Sequence, residues 1–216
     1  MQQRKALLLG ATGLTGSLLL TRLLETELYS SVTIYVRKPT GLSHPRLIEE
    51  VIDYDTINTA ADVEDVYCCL GTTIRIAKTR EAFTKVDLHY PVKIARLQRE
   101  AGSKRFMVIS SMGANPHSMI FYSRTKGLME EALQRMEYPS LYIFRPSFIA
   151  GNRTEKRAGE KIAIRIAGWI NPLLAGPLRN YASVKATAIA DAMLHYATHG
   201  ESGNHCILSG SIKNFE

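Results

Sequence analysis

Apolar residues recur along this chain in two rhythms. KALLL (5–9), VTIYV (32–36), VYCCL (66–70), RFMVIS (105–110) and LYIFR (141–145) are continuous runs of aliphatic, β-branched and aromatic residues. Such runs predict strands buried on both faces. Residues 46–52 form a weaker run and Cys206–Leu208 a short last one. Between the runs the spacing becomes helical. Leu18, Leu19, Leu23 and Leu24 share one face of 15–27, and helices are also predicted over 80–101, 122–135 and 186–198. Pro91 lies inside the second of these. Proline lacks the N–H that its turn needs, so a kink or break is expected there.

Strands alternating with helices predict an α/β fold, a doubly wound parallel sheet with helices on both faces. The chain is expected to form one domain over 1–216. The exception to the alternation is 151–185, which holds Pro172, Gly176 and Pro177 and one amphipathic stretch with Ile162, Ile166, Trp169 and Ile170 on a shared face. In open α/β sheets the ligand sits beyond the carboxyl ends of the strands. This irregular segment is expected to cover that edge and to order there when ligand binds.

With 216 residues, 45% apolar and 22% charged, the composition excludes disordered, collagen-like and disulfide-scaffold classes. Ala6 to Leu20 superficially resembles a signal peptide. Three glycines and Thr12 interrupt it and no small-residue cleavage site follows, so the signal reading is set aside. No stretch reaches the length of a membrane span. The net charge is +7, and 151–180 carries six basic residues against two acidic ones. Few aromatics lie among these bases, so a solvated face is expected rather than a nucleic-acid site. Cys68, Cys69 and Cys206 show no C-x-x-C spacing, which predicts reduced, buried thiols and a cytoplasmic protein. His195 and His199 are four apart on a helix, but no third ligand is evident and no metal is expected.

Two motifs carry chemistry. GATGLTG places Gly10, Gly13 and Gly16 between a strand and a helix, with Thr12, Leu14 and Thr15 interleaved. Glycines there let a pyrophosphate approach the amides of a helix N-terminus. An NAD site usually has an acid near the end of the second strand; here Val36 is followed by Arg37 and Lys38. Arg37 suits a 2′-phosphate, which favours NADP, NADPH in its reduced form, although an exposed basic turn would look the same. Asp53 could accept from the adenine amino group or serve as a turn or cap residue.

The second motif is YSRTK, with Tyr122 and Lys126 one helical turn apart. A phenol with a pKa near 10 needs a nearby cation to act in proton transfer at neutral pH. Ser110 and Ser111 end the fifth strand, where a hydroxyl could hold a substrate carbonyl. Together with CCLGTT (68–73), ISSMGA (109–114) and FRPS (144–147), these residues resemble the atypical short-chain dehydrogenases/reductases, specifically the Tat-interacting-protein-like oxidoreductases. The resemblance implies a Rossmann domain binding NAD(P), with Tyr122 as proton donor or acceptor. It implies Lys126 on the nicotinamide ribose and Ser111 as the carbonyl-orienting serine. Leu70 and Gly71 would line the adenosine ribose, and Pro146, Ser147 and Phe148 the nicotinamide. The superfamily often carries an asparagine on the helix before the fifth strand. None stands between Arg80 and Ala101, so a proton relay is expected to use His89 or water. The expectation is an NADP-dependent oxidoreductase of a small carbonyl or alcohol, monomeric or homodimeric. The alternative is an NADP-binding regulatory module that acts through a protein partner.

Overall fold

The computed structural model describes residues 3–150 and 183–216. Seven strands form one parallel sheet: β1 (Arg4–Leu9), β2 (Tyr29–Val36), β3 (Leu47–Val51), β4 (Asp65–Cys68), β5 (Arg105–Ile109), β6 (Ser140–Arg145) and, last in the chain, β9 (Gly203–Leu208). Their order is β3-β2-β1-β4-β5-β6-β9. The order reverses between β1 and β4, the point at which doubly wound sheets bind their ligands. The sheet is the predicted Rossmann arrangement, and its strands match the apolar runs to within a few residues. A small pair, β7 (Ile149–Ala150) with β8 (Val184–Lys185), stands apart from the main sheet.

The period-two alternation of each strand feeds two cores. Ala6, Leu8, Met107, Ile109, Tyr142 and Phe144 face helices α1 (Leu14–Glu25) and α6 (Ala186–His199). Leu7, Leu9, Phe106, Val108, Leu141 and Ile143 face α4 (Tyr90–Glu100) and α5 (Phe121–Gln134). Short turns, α2 (Ile74–Ala77) and α3 (Arg80–Thr84), precede α4, and α7 (Ser209–Ile212) follows β9.

The kink expected at Pro91 takes a definite form. A π turn, Lys85–His89, joins α3 to α4. Pro91 cannot donate to the carbonyl of Asp87 four residues back. The Tyr90 N–H bonds instead to the Lys85 carbonyl, five back. Phe83, Asp87, Pro91, Ile94, Ala95 and Gln98 remain on the buried side.

At the amino edge of the sheet a polar clasp ties four neighbouring strands. Asp65, fully buried, accepts from Arg4 Nη1 at 3.2 Å, Arg105 Nη1 at 2.9 Å and Tyr29 Oη at 2.7 Å. The Tyr29 hydroxyl also meets that of Tyr67 at 2.7 Å. The buried carboxylate is thus both paired and hydrogen-bonded, as buried charge requires.

Candidate active site

The glycine loop lies at the carboxyl edge, between β1 and β4. Gly10 has φ +79°, a left-handed conformation, and a Cβ there would come within 2.7 Å of the Cys69 carbonyl oxygen. A Cβ on Gly16 would come to 2.0 Å from the Gly10 oxygen. Only glycine lets α1 start this close to β1 and β4. No side chain caps α1 and no acid sits in its first turn. The loop therefore offers the bare amides and the positive dipole end that a pyrophosphate requires. Thr15 is buried under the helix start and Thr12 is exposed at the loop tip. Leu70 and Gly71 follow β4 directly beside Gly10.

A cavity of about 410 Å³ is lined by Arg37, just past β2, and by Ile52, Asp53, Tyr54, Ala82, Lys85, Val86 and Tyr90. Arg37 and Asp53, distant in sequence, thus share one hollow. Arg37 and Lys38 are exposed at the end of β2. Asp53 also shapes the local backbone. Its Oδ1 accepts from the Asp55 N–H, and its carbonyl accepts from the Thr56 and Ile57 N–H groups. This is the turn role expected as one of its two alternatives. Lys85 and Tyr90, which pattern reading missed, enter the cavity from the π turn and α4.

Tyr122 and Lys126 both lie on α5 but in unlike surroundings. The Tyr122 ring packs on Phe83, with centroids 5.7 Å apart, and remains 37% exposed. Lys126 is 3% exposed, and its Nζ meets Asp87 Oδ1 at 2.8 Å and the Ile109 carbonyl at 3.4 Å. Burial pulls the Lys126 ammonium down, but the attraction of Asp87, then of Tyr122, outweighs it. The net result lies above the ordinary lysine value, so the cation persists through the physiological range. Asp87 also accepts from the Thr72 N–H at 2.8 Å. His89 is exposed; the polar group that reaches Lys126 from this helix is Asp87. Its sequence signal was a lone acid on the stripe Phe83–Asp87–Pro91–Ile94.

The two serines differ. Ser111 Oγ donates to the Met112 carbonyl at 3.4 Å, while Ser110 Oγ, in a residue 4% exposed, has no partner among the described residues. The Ser110 N–H donates to the Phe144 carbonyl, extending the β5–β6 ladder. Continued alternation turns its side chain to the α4–α5 face, the face Lys126 packs on. Pro146, Ser147 and Phe148 follow β6 at the same edge. The Pro146 carbonyl accepts from the Met112 N–H, the Ser147 N–H donates to Ser209 Oγ, and Phe148 is exposed. Burial pushes the Cys68 thiol up to about 12 and raises those of Cys69 and Cys206, which disfavours the reactive thiolate form.

Residues 151–182 of the segment expected to cover this edge, with Ile162, Ile166, Trp169 and Ile170, lie outside the described residues. Among the described residues no cluster of metal-ligating side chains occurs and no helix is long and apolar enough to cross a membrane.

Residues 10–160 match the NAD(P)H-binding family. The chain is 34% identical over 175 residues to the protein HTATIP2 of Rattus norvegicus, covering 78% of this chain and 72% of that protein. It is 33% identical over 215 residues to the mitochondrial protein fmp52-1 of Aspergillus terreus, covering 95% and 91%. MoeE5, solved with UDP-glucuronic acid and NAD, superposes with a TM-score of 0.70 at 17% identity, covering 94% of this chain and 75% of that one. A Thermotoga maritima UDP-glucose 4-epimerase gives 0.68 at 16%, covering 98% and 80%. These two likenesses are of fold. The cytoplasmic location expected from the cysteines does not stand, because the fungal FMP52 relatives are named as mitochondrial. The cysteines also differ from the expected buried set: Cys68 is buried, Cys69 half-buried and Cys206, on the outer strand, exposed. With a glycine-shaped loop at the switch point, a Tyr–Lys pair at the same edge and these relatives along most of its length, the chain belongs to the NAD(P)H-binding family, alongside HTATIP2 and FMP52.

Proposed function

We propose that this protein is an NADP-dependent oxidoreductase that interconverts a carbonyl and an alcohol. The observation that carries this reading is the convergence of the glycine loop, the Tyr122–Lys126 pair and the strand-end serines at one sheet edge. The cradle suits a dinucleotide: Gly10 and Gly16 let α1 start hard against the ends of β1 and β4, and its first turn carries neither a side-chain cap nor an acid. When bound, NADPH supplies the hydride. The chain's own residues do the rest. The amides at the start of α1 hold the pyrophosphate, Lys126 holds the nicotinamide ribose, and Leu70 and Gly71 border the adenosine ribose. Pro146, Ser147 and Phe148 flank the nicotinamide. A serine hydroxyl orients the carbonyl, and the Tyr122 phenol gives its proton to the carbonyl oxygen.

The experiment is to follow carbonyl-dependent NADPH oxidation by the wild type across aldehydes, ketones and quinones. Turnover of some panel members supports the reading. Tight NADPH binding with no turnover would leave a nucleotide-binding module in its place.

Arg37 carries the preference for NADPH. Arg37→Ala is expected to weaken NADPH about tenfold or more, the worth of one charge-assisted contact, and to leave NADH nearly unchanged. Fluorescence titration with both cofactors checks this; equal losses would remove Arg37 from the role.

The serines are separable in the same assay. Ser111 is the residue implied by resemblance, whereas Ser110 has the unspent hydroxyl on the Lys126 face. The free hydroxyl favours Ser110: Ser110→Ala is expected to cut kcat/KM about tenfold or more, as losing a hydrogen bond to developing charge does, and Ser111→Ala by less. The reverse ranking would return the role to Ser111.

A further inference from the structure

Taking an ammonium out of water disfavours its charged form, and fully buried lysines titrate several units low. Lys126 therefore needs something to hold it as a cation. Asp87 lies 2.8 Å away, and both side chains are almost wholly enclosed. Its second oxygen accepts from the Thr72 N–H, and Gly71 passes so close that a Cβ there would be 3.6 Å from Oδ1. One carboxylate thus joins the π turn, the loop after β4 and α5. The π turn that presents it runs directly into α4 at Tyr90–Pro91, and such turns concentrate at functional sites.

Among the described residues, the other groups around Lys126 offer no competing anion. The Cys68 thiol from β4 is pushed up by burial, and β5 contributes the neutral Ile109 carbonyl. On α5 itself, Tyr122 lies one turn back, and Glu130, one turn on, is bonded to Arg145 of β6. From α3, Arg80 lies over the Phe121 ring at 5.1 Å.

Resting on the oxidoreductase reading above, we propose that Asp87 is the positioning residue of the site. It supplies the fixed counter-charge that holds Lys126 in place as a cation, where the ribose and Tyr122 need it. Asp87 touches neither substrate nor cofactor; it acts through Lys126.

The test is Asp87→Asn, which keeps the shape and an oxygen for the Thr72 N–H but removes the charge. Losing the anion removes what favours protonated Lys126 and leaves burial, so the lysine gives up its proton at lower pH. The ratio of wild-type to Asp87→Asn kcat/KM is expected to grow about tenfold or more between pH 6 and pH 9, one pH unit of displacement being worth a factor of ten. NADPH affinity follows the same trend, and Asp87→Glu, which keeps the charge, partly rescues the alkaline rate. A ratio that stays constant across pH would show a packing role and overturn the proposal. A second readout needs no substrate: the Lys126 ammonium resonance, assigned by its loss in Lys126→Met, should persist at pH 9 in the wild type and vanish there in Asp87→Asn. Absence of that resonance in the wild type at pH 9 overturns the proposal without any variant. If the resonance behaves as expected while wild type reduces nothing, the oxidoreductase reading fails and the role of Asp87 in holding Lys126 stands.

Discussion

Tyr122→Phe is expected to lower carbonyl reduction by about 10²–10⁴-fold, the range of general acid–base catalysis, while NADPH affinity barely moves. The ring's packing on Phe83 survives the change. What disappears is the proton for the carbonyl oxygen. Lys126→Met behaves differently: it strips Asp87 of its partner and the ribose of its donor, so affinity and rate fall together. Steady-state kinetics and cofactor titration on both variants separate the two patterns. Tyr122→Phe matching the wild type on every reducible panel member would sink the proton-donor role.

Asp65→Ala is expected to be the most destabilising single change at the amino edge. Removing the carboxylate leaves Arg4, Arg105 and the Tyr29 hydroxyl without their anion. Breaking a buried ion pair from one side costs about 3–5 kcal/mol. Both arginines keep roughly a quarter of their side-chain surface in water, which places the loss near the lower end. For a chain of this size that is a fall in Tm of about 6–12 °C. The clasp lies at the opposite end of the strands from the glycine loop, so folded Asp65→Ala should bind NADPH as the wild type does. A Tm within about 2 °C of the wild type, less than 1 kcal/mol is worth at this size, would mean that the clasp contributes nothing measurable.

The sheet was legible because its strands are buried on both faces and read as unbroken apolar runs. The two outer strands, β3 and β9, were the exceptions: β3 is half-buried to exposed and gave only a weak run. The first half of β9, Gly203 to His205, is polar, so only Cys206 to Leu208 showed. The glycine loop and the Tyr–Lys spacing were legible because each is local. Asp87 was less so: its place on the apolar stripe with Phe83, Pro91 and Ile94 marks it as buried, but its partner, Lys126, lies on another helix that only the fold brings near. The clasp was hidden for the same reason. Arg4, Tyr29, Asp65 and Arg105 are each the first residue of a strand, and only the parallel register brings them together. Pro91 correctly marked a break, but whether a proline yields a kink or a π turn depends on packing around it.

The β7–β8 pair has a consequence for how such a protein can diversify. Ile149 sits beside Val184 and Ala150 beside Lys185, and the Val184 N–H donates to the Phe148 carbonyl. Residues 150 and 184, far apart in sequence, are thus held at adjoining points. Once the ends of a loop are held together, doubling its length adds only about 0.6 kcal/mol of closure entropy. A change in the length of chain between residues 150 and 184 therefore adds little to the entropy of bringing β7 and β8 together, and the parallel pair fixes the same two anchor points for relatives of different length.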